Sequence, residues 1–485
     1  LKVKDLLKLY QQDGFLQTIM QKISLQQNTQ PNCIQIKGLI GSLDAVLGCT
    51  AYLHTPRTHL YILQDKEEAA YFHHDLQNLM GDKEVLFFPN SYKRPYQFEE
   101  TENANVLRRV EVLDCVSSKA GHELIVTYPE ALTEKVISKK SLRQNTFTTK
   151  VGDKLDNQFL SEFLTGYDFE KTDFVYEAGQ FSIRGGIIDI FSYANDLPYR
   201  IELFGDEIES LRTFDPSTQL SVETIDQISI IPNIQTKVIH ATRESFLDFL
   251  PDDTLIWIKD TELTLEVVEN YFEKAGESLA TILKETNNTR VVTPPEELFE
   301  TRRSLLSQIK NRRVVEFGKR FYFKNTERIE YQSSPQPSFN KDFKLLTENL
   351  QDNLTHGFTN IIIADSVKQI ERLNTIFDEI DPHLKLQAVN ISFRAGFLDR
   401  QLKLACYTDH QIFDRFHRYK TKEKFSKSKA LTLKELRSLQ PGDYVTHVDY
   451  GIGRFAGLEK VEANGREQEA IRLVYRDDDL LYVSI

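Results

Sequence analysis

The sequence predicts an α/β multidomain protein. Its parts are a parallel-sheet domain with a degenerate P-loop-type turn, a β-rich domain inserted into it, a small α/β domain and a C-terminal small β-barrel. Three observations predict this. Short apolar runs alternate with helix-spaced segments across residues 1–131. That pattern gives way to Gly-punctuated, strand-rich sequence across 132–230 and then resumes at Leu255. Residues 435–485 alternate strongly between Gly turns.

In chain order, Ile34–Ile36 reads as a strand followed by a Gly-Ser turn and a helix. His59–Leu63 is a second strand, Lys66–Met80 a helix, and Val85–Pro89 and Glu123–Thr127 further strands. Strands alternating with helices favour a parallel sheet covered on both faces. Residues 132–230 hold two strand pairs, Phe181–Phe191 and Tyr199–Ile208, with antiparallel pairing expected. Leu255–Ile258 is again a buried-strand pattern, with a helix expected from Thr261 to about Lys274, so 231–332 completes the first domain. Ser333-Ser-Pro-Gln-Pro signals a linker. A small α/β domain follows at 340–412, with a strand at Ile361, a helix from Ser366 to Ile380 and a strand at Leu402–Tyr407. Residues 413–434 form a basic linker; between Asp414 and Lys429 seven Lys/Arg face two acids, a local net of +5. It reads either as an extended charged tether or as a contact for nucleic-acid phosphate, with Phe413, Phe416, Tyr419 and Phe425 available to stack or to pack.

The 485 residues carry a net charge of −12, which argues against a surface that coats nucleic acid throughout. Cys33, Cys49, Cys115 and Cys406 are too scattered for a disulfide scaffold or a zinc site and suit a reducing cytoplasm. The longest apolar stretch, Leu39–Leu53, contains Asp44 and is too short to span a bilayer, so no membrane contact is expected. The chain begins without Met and stops in the alternating run Leu480–Ile485, so a fragment that ends within a domain is expected.

Three motifs bear on chemistry. Gly38-Leu-Ile-Gly41-Ser42-Leu-Asp44-Ala45 follows a strand and opens a helix, where a phosphate-binding loop belongs. A working loop ends in Gly-Lys-Ser/Thr, whose Lys neutralises the phosphates and whose hydroxyl holds Mg²⁺. Here Asp44 takes the Lys position and Ala45 the hydroxyl position, so no nucleotide cofactor is expected. The second motif, Gly179-Gln-Phe-Ser-Ile-Arg-Gly-Gly-Ile-Ile-Asp-Ile-Phe, continues into Arg200-Ile-Glu-Leu-Phe-Gly-Asp-Glu. Its carboxylate pairs Asp189/Glu202 and Asp206/Glu207 show no perturbing environment and are not read as catalytic. The third motif runs from Gly442 to Glu459, then through Ile471–Tyr475 and Leu481–Val483. Gly451 and Gly453 permit a tight bend, and His447 lacks any partner at metal-ligand spacing.

The first two motifs together resemble the module of bacterial transcription-repair coupling factors that is similar to the excinuclease protein UvrB. The third resembles the RNA-polymerase-interacting domain of the same family, a CarD/Tudor-like barrel. The resemblance implies a contact to the excinuclease protein UvrA through Lys171 and Arg184, with Phe191 as an apolar neighbour. The family usually has Arg where Lys171 stands, and Ser182 stands where UvrB carries another Arg. It also implies strand addition to the polymerase β subunit through the Leu458–Gly465 stretch, with Leu458, Lys460 and Val461 as site residues and Val461 as apolar anchor. Members of the family are ATP-driven DNA translocases that displace stalled polymerase and recruit excision repair. ATP, Mg²⁺ and most DNA contact are therefore expected of motor domains that lie C-terminal to these residues. No Gly-x-x-x-x-Gly-Lys-Ser/Thr occurs in the chain, so an adaptor without catalytic residues is expected. The competing expectation is a self-contained damage-binding helicase like UvrB, with a divergent nucleotide site.

Overall fold

The computed structural model describes all residues except 1, 25–32, 92–93, 97–102, 119–121, 168, 194, 196, 232–241, 286–292, 382–383, 385, 416–441, 448–450, 464–465, 476–478 and 485. At 103–104, 285, 447, 458, 460–463, 466–470 and 483–484 it describes the backbone alone. The chain divides into two compact units, residues 1–421 and 422–485.

The larger unit is built on a seven-stranded parallel sheet. Its order is Glu327–Glu330, Cys33–Lys37, Arg313–Gly318, Leu255–Ile258, His59–Ile62, Leu124–Thr127 and Leu86–Phe87. The central strands His59–Ile62, Leu124–Thr127 and Leu255–Ile258 are buried at every position. That is why they read as unbroken apolar runs and not as alternation. Leu255–Ile258 lies beside His59–Ile62 in register, Trp257 opposite Tyr61, although nearly two hundred positions separate them in sequence. One sheet is thus completed from both sides of the β-rich segment. Trp257 stacks on Tyr61 at 5.7 Å and on His59 at 6.4 Å, fixing the middle of the core. The helix Leu43–His54 is buried from Leu43 through Tyr52, so the apolar stretch in the sequence is a core helix packed on all sides.

Residues 147–230 form a sheet and a core of their own. The six-stranded order is Ser221–Ile225, Glu207–Phe214, Tyr199–Phe204, Ile187–Ile190, Gln180–Arg184 and Glu170–Lys171. Its pairs are antiparallel except the last, which is parallel. Alternate residues Ile188, Ile190, Tyr199, Ile201 and Leu211 point into a core closed by Leu160 and Leu164 of the helix Asn157–Gly166.

Two expectations change on the structure. The helix that begins at Thr261 runs to Glu285, well past Lys274, since Gly276 weakens Ala275–Glu285 without a proline to break it and Asp260 provides a side-chain bond to the Leu263 N–H at its start. Ser333–Pro335, read as linker, is instead an edge strand paired antiparallel with Phe397–Asp399. Proline is tolerated there because an edge strand leaves one side of its backbone unpaired. This strand belongs to a mixed five-stranded sheet with Leu404–Thr408, Thr359–Ala364 and Gln387–Asn390. One face of that sheet carries the helices Phe343–Thr355 and Val367–Ile380, through Leu346, Leu350, Leu373 and Phe377. Its other face contributes Ile361, Ile363, Val389 and Phe397 to the core of the seven-stranded sheet.

The smaller unit is a four-stranded antiparallel meander of Tyr444–His447, Gly451–Ala463, Arg466–Val474 and Leu480–Ser484. Phe455, Ile471 and Leu473 form its core, flanked by Val445, Tyr475 and Leu481. Of the basic linker, only Phe413–Arg415 fall within the described residues. No helix among the described residues is long and apolar enough to cross a membrane.

Candidate docking surfaces and the phosphate loop

On the β-rich sheet, Lys171 lies exposed in the edge strand Glu170–Lys171. Arg184, on the adjacent strand, is held tightly. Its Nη1 donates to the Asp173 carbonyl at 2.6 Å, two residues beyond Lys171, and its Nη2 donates to Asp189 Oδ2 at 2.6 Å. The guanidinium also lies 4.6 Å from the centroid of the Phe174 ring. About a third of the Arg184 side chain remains exposed, while Asp189 is fully buried. Asp189 also accepts from Arg200 Nε at 2.7 Å and Nη2 at 2.9 Å, because Arg200 sits opposite it in the sheet register. A carboxylate clamped by two guanidiniums in this way orients both of them, Arg184 included. Glu202 accepts from Ser210 Oγ at 2.7 Å and pairs with Arg212; the hydroxyl bond first, then Arg212, hold its carboxyl below the ordinary range.

Ser182 is buried and donates to the Asp173 carbonyl at 2.9 Å, so it braces the same turn that receives Arg184. Phe191 is 6% exposed and packs with Val175 and Phe214 beneath the sheet, so it supports this surface from below and presents no face to a partner. Sequence reasoning missed Phe174 and Tyr176, each 48% exposed, on either side of the buried Val175. The alternation Phe174-Val175-Tyr176 carried that signal, although Phe174–Glu177 lie outside any strand.

In the smaller unit, Gly451–Ala463 pairs with Tyr444–His447 only through Gly451–Arg454. Beyond the bulge between Phe455 and Leu458, where Gly457 takes φ +109°, the strand pairs on one side only. Leu458 stands opposite Ile471, Lys460 opposite Glu469 and Val461 opposite Gln468. Among the described residues the other edge of Leu458–Ala463 has no strand beside it. The side chains of Leu458, Lys460, Val461 and His447 lie outside the described residues.

The loop Gly38–Ala45 is the third place the sequence singled out, and the structure fills it with protein. Ser42 N–H, which caps the helix Leu43–His54, donates to the Ala395 carbonyl at 3.1 Å, and Ala395 N–H donates back to Ser42 Oγ at 3.1 Å. Gly41 has φ +60°, and a β-carbon there would stand 2.7 Å from the Gly396 carbonyl oxygen; at Gly38, φ +94°, it would stand 2.2 Å from that of Tyr331. Gly41 admits the Ala395–Gly396 backbone of the five-stranded unit, and Gly38 admits Tyr331, which follows the neighbouring strand Glu327–Glu330. Arg394 reaches in from the same segment. Its Nη2 donates to Asp44 Oδ2 at 2.5 Å and to the Gly41 carbonyl at 3.2 Å, and its own N–H donates to Asp75 Oδ1 at 2.8 Å. Glu68 lies 3.7 Å from Nη1, and Lys259 pairs with Glu68. Burial works against the Arg394 charge, but Asp44, Asp75 and Glu68 outweigh it and raise its pKa. Burial pushes the Asp75 carboxyl up to about 7, against the lowering pull of Arg394. A nucleotide and Mg²⁺ do not fit these residues: the helix-capping amide is spent on Ala395, the charge beside it is a carboxylate, and Ala45 offers no metal ligand.

The molecule thus defined is a modular α/β protein: a parallel-sheet body whose Gly38–Ala45 loop is filled by its own backbone, a β-rich module with an oriented cationic edge, and a small antiparallel sheet. Comparison with known proteins narrows this. Residues 147–235 match the family model described as UvrB interaction domain, and residues 439–485 match the one described as CarD-like/TRCF RID domain. The chain is 23% identical to the transcription-repair-coupling factor of Bacillus subtilis over 534 aligned positions, covering 93% of this chain and 44% of that protein. It is 24% identical to the one from Myxococcus xanthus, covering 92% and 43%, and 22% identical to one from Staphylococcus epidermidis, covering 93% and 44%. The chain is thus similar to transcription-repair-coupling factors over most of its own length, and it spans less than half the length of the curated relatives it matches.

Proposed function

We propose that this chain is the adaptor portion of a cytoplasmic transcription-repair coupling factor. One surface docks UvrA and the other docks the RNA polymerase β subunit. The observation that carries the reading is the co-occurrence, in one chain and in this order, of the two matched domains. The intact protein would recognise polymerase stalled at damaged DNA, displace it by ATP-driven translocation and recruit excision repair; ATP, Mg²⁺ and most DNA contact belong to motor domains outside these residues.

The β-rich module supports the first contact through Lys171 and Arg184. Lys171 is a mobile point charge on an edge, whereas Arg184 is pre-oriented by Asp189 and the Asp173 carbonyl, so less side-chain freedom is lost on binding. The small sheet, which would close as a barrel, supports the second contact through the open edge of Leu458–Ala463. An extended segment of the polymerase can add a strand there, with backbone hydrogen bonds giving affinity. A helicase of the UvrB kind needs a phosphate loop open to nucleotide, and the Ser42–Ala395 contacts count against that alternative.

The test is paired binding by calorimetry. The chain is titrated with UvrA and, separately, with the polymerase β fragment. Val461→Arg should weaken only the second by tenfold or more; Lys171→Glu with Arg184→Gln should weaken only the first, and more so at low salt. Loss of both affinities in either variant, or of neither, defeats the two-surface reading.

A further inference from the structure

The five-stranded unit has no partner assigned to it, yet it makes directed polar contacts to the Gly38–Ala45 loop and the helix Lys66–Met80. Its Ser392–Gly396 segment leaves the carboxyl end of the strand Gln387–Asn390 and enters the phosphate loop. Three features show a built receptor for this segment. The Ser392 carbonyl accepts from Asn78 Nδ2 at 2.9 Å; Asp75, fully buried, takes the Arg394 N–H; and the Arg394 guanidinium is only 15% exposed between Asp44, Glu68 and Asp75. The carboxylates come from separate elements, Asp44 on the helix Leu43–His54 and Glu68 and Asp75 on Lys66–Met80, so the cluster is assembled by the fold. A loop of this kind ordinarily selects anions. Here three carboxylates and the Gly41 carbonyl face the planar Arg394 cation with its directed donors, and Lys259 stands beside Asp44 and Glu68.

We propose that the former phosphate loop is now a guanidinium-binding site whose resident ligand is Arg394, and that the five-stranded unit acts as its internal stopper. The charge preference of the loop has been inverted, and the stopper fixes the five-stranded unit against the parallel sheet. A lysine cannot replace this ligand well, since a point charge cannot bond Asp44 and the Gly41 carbonyl in the same plane. With Arg394 truncated, the pocket should accept a free guanidinium ion. This inference concerns Arg394 alone and is independent of the two docking surfaces.

The experiment is chemical rescue in the full chain. Arg394→Ala should lower the thermal midpoint of the larger unit by roughly 5–10 °C. Methylguanidinium at about 10 mM, far below denaturing concentrations, should restore part of that loss relative to equal sodium chloride. It should do nothing for wild type or for Arg394→Ala combined with Asp44→Asn. Rescue that is absent, or equal in the double variant, overturns the proposal. Should Arg394→Ala not fold, Arg394→Lys takes its place and must also lose stability. Hydrogen exchange on wild type then decides: the Ser42 and Ala395 amides should be as protected as those of the parallel sheet, and rapid exchange at both overturns the stopper. Binding assays with UvrA and polymerase, run on the same variants, should be unchanged, which separates failure here from failure of the docking reading.

Discussion

At the scale of single residues, two buried carboxylates decide how this chain behaves. Asp189 is compensated by Arg184 and Arg200, so removing one guanidinium leaves a partly uncompensated buried charge. Arg184→Glu, the obvious charge reversal for testing the docking edge, would set a second carboxylate against Asp189. It should destabilise the β-rich module by about 2–3 kcal/mol, read as a lower thermal midpoint, whereas Arg184→Gln should cost about half as much. Loss of binding by Arg184→Glu would therefore not by itself mark a contact. Asp75 behaves differently. Its carboxyl is raised to about 7 in the fold, with Arg394, Asp44, Glu68 and Lys259 as the surrounding charges. A raised carboxyl contributes stability that is fully present below its unfolded pKa near 3.8 and is lost as pH rises toward 7. Asp75→Asn should thus gain on wild type between about pH 4 and 7 and stay ahead above it, measured as thermal midpoint against pH. A difference that shrinks with rising pH would contradict this. Of these features the sequence displayed only Asp44: a carboxylate where a Lys belongs. Its partner Arg394 lies 350 positions away and carries no motif, so no reading of local pattern could join them.

At the scale of elements, alternation and apolar runs carried most of the information. The strand Leu255–Ile258 was visible because burial on both faces demands apolar side chains throughout, and Cys33–Lys37 and His59–Ile62 because apolar residues surround the polar Gln35 and follow His59. The edge strand Ser333–Pro335 was not, since Ser-Ser-Pro is the composition of a linker and only pairing with Phe397–Asp399 makes it a strand. The phosphate loop shows the same limit of local pattern. Its glycines suggested phosphate, yet they are required by backbone from Tyr331 and Gly396. Gly41→Ala should therefore destabilise the larger unit by about 2 kcal/mol or more, from positive φ and the clash with the Gly396 carbonyl together. Urea unfolding would detect it, and a change below about 0.5 kcal/mol would mean that the segment yields easily. In the small sheet, Gly457 should be similarly intolerant: Gly457→Val at φ +109° should lose the bulge and weaken polymerase binding without touching the strand residues themselves.

At the scale of the whole molecule, the parallel sheet completed from both sides of a β-rich module was foreseeable from the return of α/β pattern at Leu255. The shared core between that sheet and the five-stranded unit was not, because Ile361, Ile363 and Val389 look the same whether they face one neighbour or another. The shared core and the Arg394 contacts turn what reads as a separate small domain into part of the body. On the proposed reading, the molecule offers two surfaces to macromolecules, and its Gly38–Ala45 loop is occupied by its own backbone. Calorimetric titration of the chain with Mg-ATP tests this central claim most directly. A closed loop predicts no saturable heat up to millimolar nucleotide and no shift in thermal midpoint, while a micromolar site that is lost on altering Ser42 or Asp44 would contradict it.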